Sequence, residues 1–264
     1  MGDFAVLHAL GDTGQDVAFP DGRLIKNFNV ADPVLAADGL VTLPKMKTHG
    51  LTRITGAVKN QLGCVPGMLK GEWHARMDDT ERFAKMLVDL NRLLRPRLTV
   101  MDGIVAREGN GPRGGDPRKM GVLLISDDPI AIDATFCRLV GLDTALVETV
   151  VFGEEWGLGS ATDIEYVGDA LDGFVTEDFV VDRSPVSTAP GSSTFSRLFR
   201  KHIVAKPVIV HSVCTGCEVC VGACPVDPKA VDVSSGQAKA DKRPPEHDYD
   251  RCIRCYVCQE LCPE

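Results

Sequence analysis

From about Leu40 to Asp182, short apolar runs alternate with stretches whose apolar residues recur every three or four positions. Runs of the first kind suit strands and stretches of the second suit helices with one buried face, so the alternation predicts an α/β domain with a mostly parallel sheet. The strands fall at residues 39–43, 98–102, 122–126 and 164–167. Between them, Phe83, Met86, Leu87, Leu90 and Leu94 share one helical face, with Asp78 and Asp79 near the start and Arg95-Pro96 at the end, which predicts a helix over 79–94. A second helix over 129–140 has Asp128 as N-cap, Pro129 in its first position and Gly141 at its close. Residues 147–156 read as a third.

After Arg183 the composition turns to Ser, Thr, Pro and Gly through residues 186–196, the pattern of a flexible linker. Arg197, Arg200, Lys201 and His202 make a short basic patch that reads as a solvated face. The chain divides into an α/β domain over 1–182, a linker over 183–204 and a small cysteine-rich unit over 205–264. A length of 264 residues agrees with a main core plus a small second unit. No apolar run reaches the roughly 18–20 residues needed to span a bilayer. The net charge of -8 argues against nucleic acid as partner, since phosphate binding needs clustered Lys and Arg. Met1-Gly2-Asp3 opens no targeting pattern.

Eight of the ten cysteines form two copies of one motif: Cys214, Cys217, Cys220, Cys224 before Pro225, and Cys252, Cys255, Cys258, Cys262 before Pro263. This is the spacing of a bacterial two-cluster ferredoxin, in which three close thiolates hold one cubane and the fourth reaches the other. The expected cofactors are two [4Fe-4S] clusters with crossed ligands: Cys214, Cys217, Cys220 with Cys262, and Cys252, Cys255, Cys258 with Cys224. Paired zinc sites are the competing reading; the third cysteine of each run, the trailing Cys-Pro and the lack of histidine stand against it. Residues 206–213 read as the first strand of this ferredoxin-like (α+β) unit. Thiolate ligands in this number imply a reducing compartment, the cytoplasm, in an anaerobe.

The α/β half carries polar motifs at strand ends, where open sheets bind ligands. Lys45, Lys47 and His49 follow the first apolar strand, and Lys59 and Asn60 lie in a short helix ending near Gly63. Together they suit a carboxylate or phosphate, or they are surface lysines on a loop. Asp102 ends another strand, and a glycine-rich loop after it presents Glu108, Asn110 and Arg113. Its formal match to a dinucleotide fingerprint, Gly109 through Gly111 to Gly114, is rejected because a strand follows, not a helix. Asp127, Asp128 and Asp133 offer carboxylates for a cation or a general base, with capping as the plainer role for at least one. His74 sits in an expected loop, and Cys64 and Cys137 read as buried small hydrophobes. His49, His74, Asp102, Glu108 and Asp133 are the candidate catalytic groups; Lys45, Lys47, Lys59, Asn60, Asn110 and Arg113 are the candidate ligand contacts.

The succession Leu43-Pro44-Lys45-Met46-Lys47-Thr48-His49, Thr55-Gly56-Ala57-Val58-Lys59-Asn60, Asp102-Gly103, Glu108-Gly109-Asn110-Gly111-Pro112, Asp128-Pro129 and Asp133-Ala134 resembles the family called domain of unknown function 362. Its members often carry a C-terminal double-cluster ferredoxin domain, and the family brings no settled reaction with it. The resemblance implies a further N-terminal stretch that this chain lacks, and ferredoxin units usually continue past the last Cys-Pro. Truncation is therefore expected at the N-terminus, with the C-terminus a second candidate, leaving apolar surface uncovered and solubility marginal. Three functions stand open: an iron–sulfur oxidoreductase acting on an anionic ligand, an electron carrier or adaptor whose α/β body only recognises a redox protein partner, and a non-redox anion binder with structural clusters.

Overall fold

The computed structural model describes residues 11, 13–67, 69–77, 79–185, 206–233 and 243–263. The opening Met1-Gly2-Asp3, Asp78 and nearly all of the expected linker with its basic patch lie outside them. In chain order the larger body runs β1 (Gly14–Ala18), β2 (Asn27–Ala31), α1 (Asp32–Leu35), β3 (Val41–Thr42), β4 (Lys45–His49), β5 (Arg53–Thr55), α2 (Ala57–Asn60), α3 (Leu69–Arg76), α4 (Thr80–Leu94), β6 (Leu98–Glu108), β7 (Asp116–Ser126), α5 (Pro129–Leu139) and α6 (Glu148–Glu155). The cysteine-rich unit adds α7 (Val219–Ala223), β8 (Val231–Asp232), β9 (Glu246–His247) and α8 (Val257–Leu261).

Helix α4 forms where its periodicity places it. The Asp79 carboxylate accepts from the Arg82 amide at 2.6 Å, and Arg95 closes the helix in a left-handed conformation, φ 45°. Phe83, Met86, Leu87 and Leu90 are wholly buried, each worth roughly 1.5–3 kcal/mol of transfer free energy. From the same helix, buried Asp89 accepts from the amides of Arg23, Leu24 and Ile25 at 2.7–2.9 Å, pinning the turn between β1 and β2 to the body. Helix α5 starts as expected, with Asp128 accepting from Ile130 and Ala131 at 2.7 and 2.9 Å.

The domain is α/β, and its sheet is mixed. One edge of β6 pairs along its length with antiparallel β7; the other is shared by parallel β3 and β4, and β5 pairs antiparallel with β4. Residues 45–49, expected as a loop beyond the strand, are thus a strand themselves. Beyond Pro44 the chain rejoins the edge of β6 that it left after β3, and alternate side chains, Met46 and Thr48, point into the core. The segment 164–167 forms no strand: it lines a groove with β7, whose outer edge is open among the described residues, but makes no ladder with it. Residues 206–213 likewise form no ladder: 206–210 are irregular and 211–213 a turn. The loop 109–115 joins β6 to β7 as a hairpin, consistent with rejecting the dinucleotide fingerprint.

Helices cover one face of the sheet, burying Met46, Ile54, Met101, Met120 and Val122. The opposite face leaves Val41, Leu43, Ile104, Leu123 and Ile125 exposed, Leu123 at 55% and Ile125 at 63%. Replacing Leu123 and Ile125 together by Lys is expected to reduce self-association in light scattering and to shift the unfolding free energy by less than about 1 kcal/mol, since exposed sites contribute little. A loss of several kcal/mol would mean that this face is covered in the folded protein.

Candidate metal centre and the cleft beside it

The two cysteine loops have the same shape. Glu218 and Tyr256 occupy equivalent places before α7 and α8, both left-handed at φ 57° and 58°, and two residues earlier Gly216 and Arg254 are left-handed too, at φ 66° and 58°. A non-glycine residue held there costs of order 1–3 kcal/mol, so its surroundings must over-determine it. Cys214, Cys217, Cys220 and Cys262 line one cavity. A neighbouring cavity is lined by Cys224, Cys252, Cys255 and Cys258, with Cys258 reaching both. None of these thiols is in a disulfide. Burial, then the neighbouring cysteines, pushes Cys258 up to about 12, and burial pushes Cys255 up to about 11. Thiols crowded in this way ionise readily only against a strong positive charge, which bound metal provides. The Ala230 amide donates to Cys224 Sγ at 3.4 Å, the type of bond that tunes cluster sulfur. The donor set and the shape of the two loops fit iron–sulfur clusters.

Helix α8 has a second side. Cys258 and Cys262 face the cavities, whereas Val257, Glu260 and Leu261 face a cleft of about 310 Å³ against the larger body. Glu260, its side chain 15% exposed, enters a cradle built by three elements. His49 Nε2 from the end of β4 lies 2.5 Å from Oε1, Lys59 Nζ from α2 lies 3.3 Å from the same oxygen, and His74 Nε2 from α3 lies 3.2 Å from Oε2. The His74 contact is at ion-pair distance but poorly aligned for a hydrogen bond, and Nδ1 of the same ring has no partner among the described residues. His49 Nδ1 accepts from the amides of Leu51 and Thr52 at 3.0 and 3.3 Å, so its proton sits on Nε2 and is donated to Glu260. Burial, then the Lys59 charge, lowers the His49 pKa to about 4. Burial alone would raise Glu260; Lys59 first, then the His49 bond, holds it well below the usual carboxylate range. Gln259 Nε2 donates to Asn110 Oδ1 at 2.7 Å, and an Arg113 guanidinium nitrogen to the Leu261 carbonyl at 3.4 Å, so the β6–β7 loop closes over α8.

Residues 4–138 match the family described as domain of unknown function (DUF362). The chain belongs to that family. Residues 206–263 match a 4Fe-4S dicluster domain, which makes the C-terminal unit an iron–sulfur, [4Fe-4S]-binding electron-carrier module. Thylakoid-associated protein sll1697 of Synechocystis sp. is 39% identical over 139 residues, 52% of this chain and 43% of that protein, so the match spans less than half of the relative. No solved structure matches the chain. Among the described residues no helix is long and apolar enough to cross a membrane.

Within the DUF362 body, His49, Lys47, Lys59, Asn60, His74 and Arg113 come together around the cleft and Glu260. His74 lies on helix α3, not on a loop. Gly71, one turn earlier on α3, faces α8, where a Cβ would make ordinary contact with Val257 at 3.6 Å. Lys45 stands apart, paired with Asp102, whose carboxyl that bond holds below its usual range. Glu108 accepts from the Val180 amide at 2.9 Å and faces Arg118. Asp133 accepts from the amides of Ala57 and Val58 at 2.5 and 3.1 Å, and burial pushes its carboxyl up to about 7; it anchors α2 and thereby Lys59. Asp128 holds Ser160 at 2.8 Å besides capping α5. Among the described residues no group of three His, Cys, Asp or Glu is placed to hold a single cation. Cys64 and Cys137 are buried. Sequence reasoning missed Glu260, Gln259 and Thr55. The signal for the first two was a difference between the motif copies: Val221-Gly222-Ala223 in one, Gln259-Glu260-Leu261 in the other.

Glu260→Ala is expected to cost about 3–5 kcal/mol in urea unfolding, because it strands a buried ammonium and two imidazoles, with Glu260→Gln costing less. Equal, small effects would mean the cradle is solvated. The His49 ring is expected to stay neutral from pH 8 to 5 by imidazole nitrogen chemical shifts. An unfolded histidine protonates near 6.5; stability resting on neutral His49 is therefore whole above that pH and is lost as pH falls toward about 4. A midpoint near 6.5 would contradict the burial of this ring.

Proposed function

We propose that the protein is a two-cluster electron-transfer protein whose relay ends beside an anion site on the DUF362 body. One [4Fe-4S] cluster is held by Cys214, Cys217, Cys220 and Cys262, the other by Cys252, Cys255, Cys258 and Cys224. The observation that carries this reading is the two-sidedness of α8: Cys258 and Cys262 face the cluster cavities while Glu260 and Leu261 wall the cleft. A ligand in the cleft would lie about one helix width, roughly 10 Å, from the clusters. When bound, the clusters supply single-electron steps at potentials set by burial and bonds to sulfur. The chain's own part is to hold an anion there with Lys47, Lys59, Asn60 and Arg113, and to fix α8 through Glu260. A redox protein would exchange electrons at the other end.

A carrier or adaptor role is the second reading, favoured by one observation: the cradle is filled by the chain's own carboxylate. The reducing, cytoplasmic setting and an anaerobic host remain part of the proposal; the printed name of the cyanobacterial relative speaks of thylakoid association for that protein.

Anaerobic reconstitution is expected to yield about eight irons and eight sulfides per chain, with the paramagnetic resonance of two interacting reduced cubanes. Cys262→Ser should disturb the cluster held by the first motif, and Cys224→Ser that held by the second. Zinc without sulfide, or each variant disturbing its own motif's cluster, would refute the crossed assignment.

A further inference from the structure

The cleft holds more unanswered polarity than Glu260 accounts for. Among the described residues its lining sets Lys47, Lys59 and Arg113 against the single carboxylate of Glu260. Burial, then the charges of Lys59 and Arg113, lowers the Lys47 pKa, as expected where cations crowd without sufficient anions. Among the described residues two buried side chains on the same wall carry a polar atom without a hydrogen-bond partner: Thr55 Oγ1, and Nδ1 of His74, whose Nε2 stands 3.2 Å from Glu260. Buried polar atoms are satisfied in all but a few cases, and each orphan costs of order 1–3 kcal/mol, so orphans sharing one wall point to something that satisfies them. At about 310 Å³ the cleft is at the low end of the roughly 300–1,000 Å³ of small-molecule pockets, a size for a small acid and not for a dinucleotide.

We propose that the cleft between the DUF362 body and α8 binds a small molecule bearing at least two oxyanion groups, carboxylate or phosphate. Lys47, Lys59 and Arg113 neutralise it, Thr55 and His74 hydrogen-bond to it, and Glu260, already saturated by His49 and Lys59, orients the cradle from behind. The inference rests on reading this face as the ligand end of the relay. Gly63, also on the lining, offers an independent handle. A Cβ built there meets nothing within 4 Å, so a larger side chain would enter the cleft without displacing the fold.

The test is calorimetric titration of the iron-loaded full chain with succinate and with 3-phosphoglycerate at low salt, with glycerol as the neutral control. At least one acid is expected to bind with Kd below about 1 mM, and glycerol not at all. Lys47→Ala and Gly63→Leu should each weaken binding at least about tenfold with iron content and melting unchanged. Tighter succinate binding identifies a dicarboxylate site, and tighter 3-phosphoglycerate binding a phosphate site. Absence of binding to a fully loaded chain, or binding unaffected by both variants, overturns this inference and leaves the two-cluster relay standing. Failure to load iron would instead sink the relay, and binding by the apo-chain would still be scored on its own.

Discussion

The largely enclosed carboxylate of Glu260 is the contact on which the arrangement of the two units depends. Taking an ion pair out of water costs several kcal/mol per ion, and the interior returns that only when the geometry is good and the remaining lone pairs are filled. Here Lys59 supplies the charge and His49 supplies an N–H whose direction is set by the Leu51 and Thr52 amides. Each donor comes from a separate element, and each element is tied down by something else. Asp133 grips the start of α2, and the hairpin between β4 and β5 fixes His49. A modest change in the relation of these elements would leave a charge buried and unpaired, so the contact selects one docking position for α8 and penalises its neighbours.

That selection has consequences for the cysteines. Cys258 and Cys262 flank Glu260 on the same short helix, so fixing the carboxylate fixes the two sulfurs that, on the proposed assignment, belong to different clusters. The β6–β7 loop adds Asn110 and Arg113 from above, and Gly111 brings that loop against Thr48, where a Cβ would lie 2.0 Å from the Thr48 carbonyl oxygen. The glycine-rich run therefore serves close approach to β4 and to α8, a use unlike the phosphate-wrapping role its spacing formally resembles.

Much of this was legible in the chain and some was not, for identifiable reasons. Helices α4 and α5 were readable because cap, stripe and stop agree locally, at Asp79 with Phe83 to Leu90 and at Asp128 with Pro129. The cysteine spacing was readable because duplication is hard to reach by chance. Strand β4 went unread because Lys45 and Lys47 look solvated, although Met46 and Thr48 between them carry the period of a half-buried strand. Residues 164–167 have the composition of a strand yet make no ladder with the open edge of β7 beside them, a fact of tertiary structure. His74 was placed on a loop because Gly71 breaks the helical pattern of the sequence, yet α3 runs through that glycine. Glu260 was overlooked because attention rested on what the motif copies share.

The difference between the copies is the more informative half of the duplication. Both loops repeat the left-handed residues and the five-residue helix, which makes them near equivalents as cysteine holders. Only the second carries a charge and an amide between its last two cysteines, and only that helix enters the cradle. A symmetric pair of cluster sites has no intrinsic direction. On the proposed reading, α8 breaks that symmetry, because a carboxylate on a single copy commits that helix to the cationic cleft and leaves α7, with Val221, Gly222 and Ala223, without a counterpart to Glu260.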